Sequence, residues 1–533
     1  MQTPSDQNPL SGSVAQDQPA SGGPIPPSVG PATIPQVPEP PIPEEAPQQP
    51  PPAPEPIQPA ETIVVPETVG PGSAPQNSFM PQAPGSTDQP PVQPKSSQTN
   101  PWSKRLVMIG IGLLLLIVLG IGGRFAYTMF TANQVVTISY WGLWENDASV
   151  RDILNGFEAT HPKIKVQYVQ QSPKQYRERL QAALTRGEGP DVFRFHNTWI
   201  PLLRSDLLPI PASVMTTSEF LSSFYPVAAT NLVSGSSIYG IPLMFDGLGL
   251  YYNEDLLSAA GVSVPVTWND VLAIVPKLTV KNDSGIVTSA IALGTANNIE
   301  NFSDILAVMM MQNGAKLPNL KGQEATEALM FYHKFADPSD PVYTWNDSLD
   351  NSIPAFANAK VAMILAPSWR AFDIRQINPS LHFKVAPIPQ LPGTTVTWAS
   401  YWVEGVSAKS KYPTQALEFL KYVTSKDTAV KLYTSISKLR LFGEPYARID
   451  LGKNLSSDPL VGAYISQAPT AKSFPLASRT FDNGINDNLI KYLKDAVNSL
   501  NNGNSPASAL DTAQAGFTQV LAPYGLSSAA PTQ

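Results

Sequence analysis

Apolar and polar residues change their spacing several times along this chain, and the changes mark out its elements. Residues 1–100 show no apolar period. Residues 106–123, LVMIGIGLLLLIVLGIGG, run eighteen long without a charge. At about 1.5 Å rise per residue such a helix covers about 27 Å, close to a hydrocarbon core of about 30 Å. From 134 onward short segments alternate. Residues 134–140, QVVTISY, are β-branched and suit a buried strand, and 141–146 read as a loop. Residues 149–160 place Val150, Ile153, Leu154 and Phe157 on one helical face. A second strand is predicted at 163–169, a helix over 176–185 ending near Gly187 and Gly189, and a third strand at 191–195. Strand alternating with helix predicts a parallel sheet with covering helices. The pattern then restarts. Residues 240–245 lead into 249–253, a helix carries Asp255, Leu256 and Leu257, and Thr267 three residues before Asp270 starts another helix in the manner of a capping box. A strand follows at 289–294. Two α/β units joined by an extended crossover predict an α/β fold of two lobes with a cleft between them.

Composition changes the picture at the N-terminus. Of 55 prolines, 27 lie in residues 1–100, where Lys95 is the sole basic residue. That stretch has too little apolar surface to offset chain entropy, so 1–100 is expected to be a disordered, Pro-rich tail. Its PxxP segments arise by chance in so proline-rich a tract, and a spacer is the expected role. The net charge of −7 argues against nucleic acid, which needs a basic face, and the absence of cysteine excludes disulfides, thiolate nucleophiles and cysteine metal sites.

The apolar run predicts a transmembrane signal anchor over 104–130, with Arg124 snorkelling toward the headgroups and 125–130 extending the span. A buried core helix is the competing reading, disfavoured by polar flanks. A cleaved signal peptide would need a far shorter leader and a small-residue cleavage site, which Phe130 before Ala132 does not provide. Lys95, Lys104 and Arg105 precede the span and only Arg124 closely follows it. The positive-inside tendency therefore keeps the N-terminus cytoplasmic and places everything after 130 outside, single-pass. Residues 526–533 are expected to be a flexible end.

Four ordered segments carry a resemblance to a known family. They are Gly189-Pro-Asp-Val-Phe193 followed by Leu207-Leu-Pro-Ile210; Tyr239-Gly-Ile-Pro242 through 250–256 to Thr267-Trp268; Ala355–Met363 with Pro367-Ser-Trp369 and Val385–Pro389; and 410–420 with Thr424-Ser425. Over about residues 134–525 the chain resembles the extracellular solute-binding proteins of family 1, the maltose-binding type. The resemblance implies a two-lobed, type II periplasmic-binding-protein-like fold with a hinge. Lobe 1 would take about 134–244 and 400–440, and lobe 2 about 245–398 and 445–525. It implies capture of a carbohydrate and delivery to ABC permease subunits with a cytoplasmic ATPase, without catalysis or cofactor; a monomer is expected. The chain departs from the family pattern at Ala366, where a glycine is usual, at Ser368, inserted before Trp369, and at Trp398-Ala-Ser-Tyr-Trp402, which replaces a Gly-rich entry to the second crossing. All lie where ligand would be held, leaving ligand identity open.

Sugars present apolar C–H faces rimmed by hydroxyls, so aromatic rings and short polar side chains are the groups to seek. Trp141, Trp144 and Glu145 follow the first strand, Asn197 and Trp199 follow the third, and Asp246 and Tyr251 fall at the first crossing. Trp369 occupies the family's stacking position. Tyr401, Trp402 and Glu404 lie at the second crossing, and Phe481 and Asp482 precede the last helices. Packing is the alternative for Trp141 and Trp144, hinge support for Asp246 and Tyr251, and a structural role for Trp369, Asn197, Phe481 and Asp482; Trp268 and Trp345 read as packing residues.

Two rival classes remain. A glycoside-active enzyme would need two carboxylates at a defined separation. The sequence carries no H-E-x-x-H, G-x-S-x-G or P-loop motif, and His161, His196, His333 and His382 are scattered. A membrane-anchored sensor or adhesin suits an uncleaved anchor, but only low-complexity tail precedes the span.

Overall fold

The computed structural model describes residues 108, 112–122, 124 and 134–526. The tail expected at 1–100 and residues 527–533 lie outside the described residues. Of the span expected at 104–130, residues 108, 112–122 and 124 are described; they are helical, and their large apolar side chains are exposed. Among the described residues no helix is long and apolar enough to cross a membrane.

The strands, in chain order, are β1 (Val136–Gly142), β2 (Ile164–Gln170), β3 (Val192–His196), β4 (Ile241–Pro242), β5 (Gly249–Asn253), β6 (Val280–Asn282), β7 (Gly285–Ile291), β8 (Val361–Ala366), β9 (Phe383–Ala386), β10 (Thr397–Trp398), β11 (Trp402–Val406) and β12 (Ala471–Lys472). Ten of them build two five-stranded sheets, ordered β2-β1-β3-β11-β4 and β9-β5-β8-β7-β6, β10 pairs with β12, and Val233–Ser234 and Ser237–Ile238 form a further two-residue pair. Each has its own apolar core. Ile138, Phe157, Phe193, Phe195 and Val403 fill the first, and Leu250, Val271, Ile291, Leu306 and Met363 the second. The fold is therefore two-lobed and α/β, and the lobes exchange chain through short crossings.

Local signals act as read. Asn146 caps the helix Asp147–Thr160 by accepting from Ser149 N, and Thr267 and Asp270 form a full capping box on the helix Trp268–Leu278. Two readings change. The loop placed at 141–146 begins later, because Trp141 and Gly142 extend β1 by pairing with Val169 and Gln170 of β2. The sheets are mixed rather than parallel: β1 runs parallel to β2 and β3, but β11 returns antiparallel to β3 and β4. A strand that re-enters a lobe from the other lobe arrives from the opposite end, which no local period records.

The crossings are pinned to one another. Gly247 pairs with Ala399 and Met244 with Tyr446, and Phe245 N donates to Pro445 O at 2.8 Å. Gly247 is required there: a Cβ would sit 2.0 Å from the Trp398 carbonyl oxygen.

Candidate functional site

The nominated residues fall into four groups, each set by the elements that carry it. The first is aromatic and stands at the C-terminal ends of β1 and β3, where loops of parallel strands collect. Trp144 meets Trp402 edge to face with ring centres 5.6 Å apart, and Trp402 in turn meets Trp199 at 5.3 Å and the His196 ring at 5.1 Å. Trp144 keeps 39 % of its surface exposed, and Trp141 and Trp402 are half-buried. Trp199 is fully buried, because the turn Asn197–Trp199 folds its ring back toward Tyr176. It backs the cluster instead of lining a ligand, a correction to its sequence assignment. Burial pushes the His196 ring down to about 3, so it is neutral at pH 7 between Thr198 Oγ1 at 2.8 Å and Ser400 Oγ at 3.1 Å.

The second group is a buried ion cluster. Arg194 on β3 stands opposite Glu404 on β11 in the sheet register. Its Nε donates to Glu404 Oε1 at 2.7 Å, and its Nη1 donates to Glu145 Oε1 at 2.8 Å and Oε2 at 2.6 Å. All three side chains are at most 3 % exposed. Burial pushes the Glu404 carboxyl up, against the pull of Arg194. The two carboxylates expected at the ligand thus brace the strands beneath the aromatic cluster: a cation in an otherwise apolar strand needs counter-charge, and these supply it.

The third group is the hinge. Asp246 Oδ1 accepts from Gly247 N at 2.8 Å and Ser368 N at 3.0 Å, its Oδ2 accepts from Ser368 Oγ at 2.9 Å, and its carbonyl accepts from Ser400 N at 3.0 Å. One residue so ties both crossings to the loop after β8. Burial pushes its carboxyl up to about 7. The Tyr251 hydroxyl, fully buried, donates to the Pro367 and Ser368 carbonyls. Asn197 and Tyr401 are buried here too. Asn197 Oδ1 accepts from Tyr401 N at 3.0 Å, its Nδ2 donates to Asn231 Oδ1 at 3.0 Å and Ser473 Oγ at 2.8 Å, and the Tyr401 hydroxyl donates to Asn231 Oδ1 at 2.9 Å. These four support the crossings; their polar atoms already have partners.

The fourth group belongs to lobe 2. The Trp369 ring lies 4.1 Å under the Arg370 guanidinium and 5.5 Å from that of Arg479, which also covers Phe481 at 5.2 Å. Glu300 pairs with both arginines, and Arg370 pairs further with Asp373 at 2.5 Å. Trp369 and Phe481 are half-buried. Arg479, Phe481 and Asn483 all adopt left-handed backbone, with φ of 58°, 50° and 40°. Asp482 holds that turn: fully buried, it accepts from Gly484 N, Asn486 N, Asn486 Nδ2 and Asp487 N, and so caps the helix Ile485–Asn501. Its side chain is an anchor, which corrects its assignment to the ligand.

Two bonds join the lobes at this turn. Arg177 Nε donates to Asp482 O at 2.5 Å, and Asn486 Nδ2 donates to Thr198 Oγ1 at 2.8 Å. Trp268 and Trp345 are buried, their Nε1 groups donating to Gln312 and Asn298, as packing residues. Sequence reasoning missed Arg177, Arg194, Glu300, Arg370, Arg479 and Asn486. Arg194 left a signal, a lone cation inside the apolar strand VFRFH; the others are brought in from distant segments.

The description "Bacterial extracellular solute-binding protein" matches residues 141–430 as a family model. The Multiple sugar-binding protein of Streptococcus mutans is 24 % identical over 345 residues, 62 % of this chain and 81 % of that protein. The sugar-binding protein MalE from Xanthomonas citri superposes with a TM-score of 0.60 at 21 % identity, over 73 % of this chain and 98 % of that one. A cyclo/maltodextrin-binding protein complexed with maltotetraose gives 0.60 at 19 % identity, over 72 % and 97 %. At such identities the two structures speak for the fold. The chain belongs to the bacterial extracellular solute-binding protein family.

Proposed function

We propose that this protein captures a carbohydrate between its lobes by hinge closure and delivers it to the permease of an ABC importer, as a binding protein and not an enzyme. The observation that carries the reading is that each lobe carries a partly exposed aromatic surface next to the crossings. Trp141, Trp144 and Trp402 belong to one, Trp369 with Phe481 to the other, and hydrogen-bonded crossings connect them. Rings on both walls would stack on opposite C–H faces of a sugar, and Arg479 and Glu300 would meet its hydroxyl rim. A ligand that touches both lobes favours the closed form by its differential affinity, and moving that population from 1:99 to 99:1 takes about 5.5 kcal/mol. Micromolar binding, about 8 kcal/mol, accommodates this. The sugar-binding names of the relatives support the ligand class. The apolar run at 106–123 would anchor the domain on the outer face of the membrane.

The test is a thermal-shift and calorimetric screen of the purified full chain against glucose, maltose, maltotetraose and mannobiose. A sugar at about 100 times its Kd stabilises the folded state by about 2.7 kcal/mol and raises Tm. A flat response across all of them sinks the carbohydrate reading, and shortened oligosaccharide in the mixture sinks the binding-only one. Release of the chain from membranes on deletion of 104–130 is expected; retention would remove the anchor.

A further inference from the structure

A cavity of about 340 Å³ opens beside the Asn197–Ser473 hydrogen bond, and none of the partly exposed tryptophans lines it. One wall is the helix Pro226–Leu232 of lobe 1, through Val227. The other is lobe 2, through Met311, Leu317 and Phe474, and strand β12 contributes Lys472. The volume lies at the low end of the roughly 300–1,000 Å³ typical of ligand pockets, too small for a phospholipid. Its polar groups are mostly engaged. Thr230 Oγ1 donates to Pro226 O, and Ser473 Oγ accepts from Asn197. Lys472 is the one charged residue in the lining and makes no ion pair among the described residues.

We propose that this cavity binds a small amphipathic carboxylate, its apolar body among Val227, Met311, Leu317 and Phe474 and its head on the Lys472 ammonium. Because both lobes wall the cavity, its shape depends on the hinge. It exists here together with the cross-lobe bonds Arg177–Asp482 and Asn486–Thr198. A ligand that fits this arrangement stabilises it, so occupancy favours the lobes bonded as they are here over lobes that have parted.

The experiment titrates decanoate, below its micelle concentration, into the full chain by calorimetry, with 1-octanol as the uncharged comparison. One site per chain is expected, weakened at least tenfold in Lys472→Met and lost in Val227→Trp, which fills the cavity; 1-octanol is expected to bind at least tenfold more weakly than decanoate. Lys472 is exposed, so its variant folds even where the buried Val227 change does not, and thermal melting checks both. No binding, equal affinity for 1-octanol, or affinity unchanged in Lys472→Met would overturn the site. X-ray scattering is expected to show a smaller radius of gyration with decanoate; binding without it would overturn the coupling. None of these readings depends on a sugar, so their failure is separable from failure of the carbohydrate reading.

Discussion

The two candidate walls are built by opposite means. In lobe 1 the aromatic cluster rests on strands β3 and β11 and on a sealed Glu145–Arg194–Glu404 cluster, so its placement comes from sheet register. In lobe 2, Phe481 and Arg479 ride a turn with three left-handed residues in five, a conformation costing roughly 1–2 kcal/mol per residue and held by the Asp482 cap. The charges of the first wall are buried in the sheet, whereas those of the second, Arg479 and Glu300, stay within reach of solvent. Under the proposed carbohydrate reading, lobe 1 would present a stacking face fixed by the sheet, and lobe 2 would meet the ligand's rim.

That comparison can be broken in four places, from the largest expected effect downward. Arg194→Met strands two buried carboxylates and is expected to lower unfolding free energy by about 3–5 kcal/mol in urea titration, with most of it regained when Glu145→Gln and Glu404→Gln are added. Little recovery would mean that the cation works by packing alone.

The hinge comes next. The Asp246 carboxyl sits near 7 when folded and near its ordinary lower value when unfolded, so the folded state prefers it neutral. Its stabilising contribution is full below about pH 4 and is lost as pH rises through about 7, an amplitude of roughly 2–4 kcal/mol. Stability measured from pH 5 to 8.5 is expected to fall less in Asp246→Asn than in the unaltered protein; equal slopes would remove Asp246 from the account.

Asp482→Ala removes the cap of the helix Ile485–Asn501 and should cost about 2 kcal/mol, with faster amide exchange confined to 479–487. Trp369→Ala, on the second wall, should change stability by under about 1 kcal/mol while weakening whichever sugar the screen identifies by at least tenfold. A large loss of stability with unchanged affinity would make Trp369 a packing residue.

Much of the frame was readable beforehand because it is local. The β-branched run of β1, the one-sided apolar face of Asp147–Thr160 and the Thr267–Asp270 box each need only a few neighbouring residues to act. Trp141, Trp144, Trp369 and Trp402 were nominated from sequence and are partly exposed here, since a tryptophan after a parallel strand stands out. The carboxylates were harder to place, with Asp246 found in the hinge role that was one of its two readings, because Glu145, Glu404, Asp246 and Asp482 look alike in sequence to acids that face solvent. What separates them is a partner 49 to 210 residues away for the first two, and backbone donors that only a folded turn assembles for the others.

The amino-acid order by itself determined two α/β units, their family resemblance and which tryptophans are candidates for a ligand, because periodicity, caps and strand ends are short-range properties. The tertiary structure alone decided that β11 returns antiparallel, that Arg194 gathers two glutamates, and that lobe 1 grips the turn at 482–486. Those outcomes depend on which distant segments share a low-dielectric interior, and a buried charge finds its partner only once the chain has closed around it.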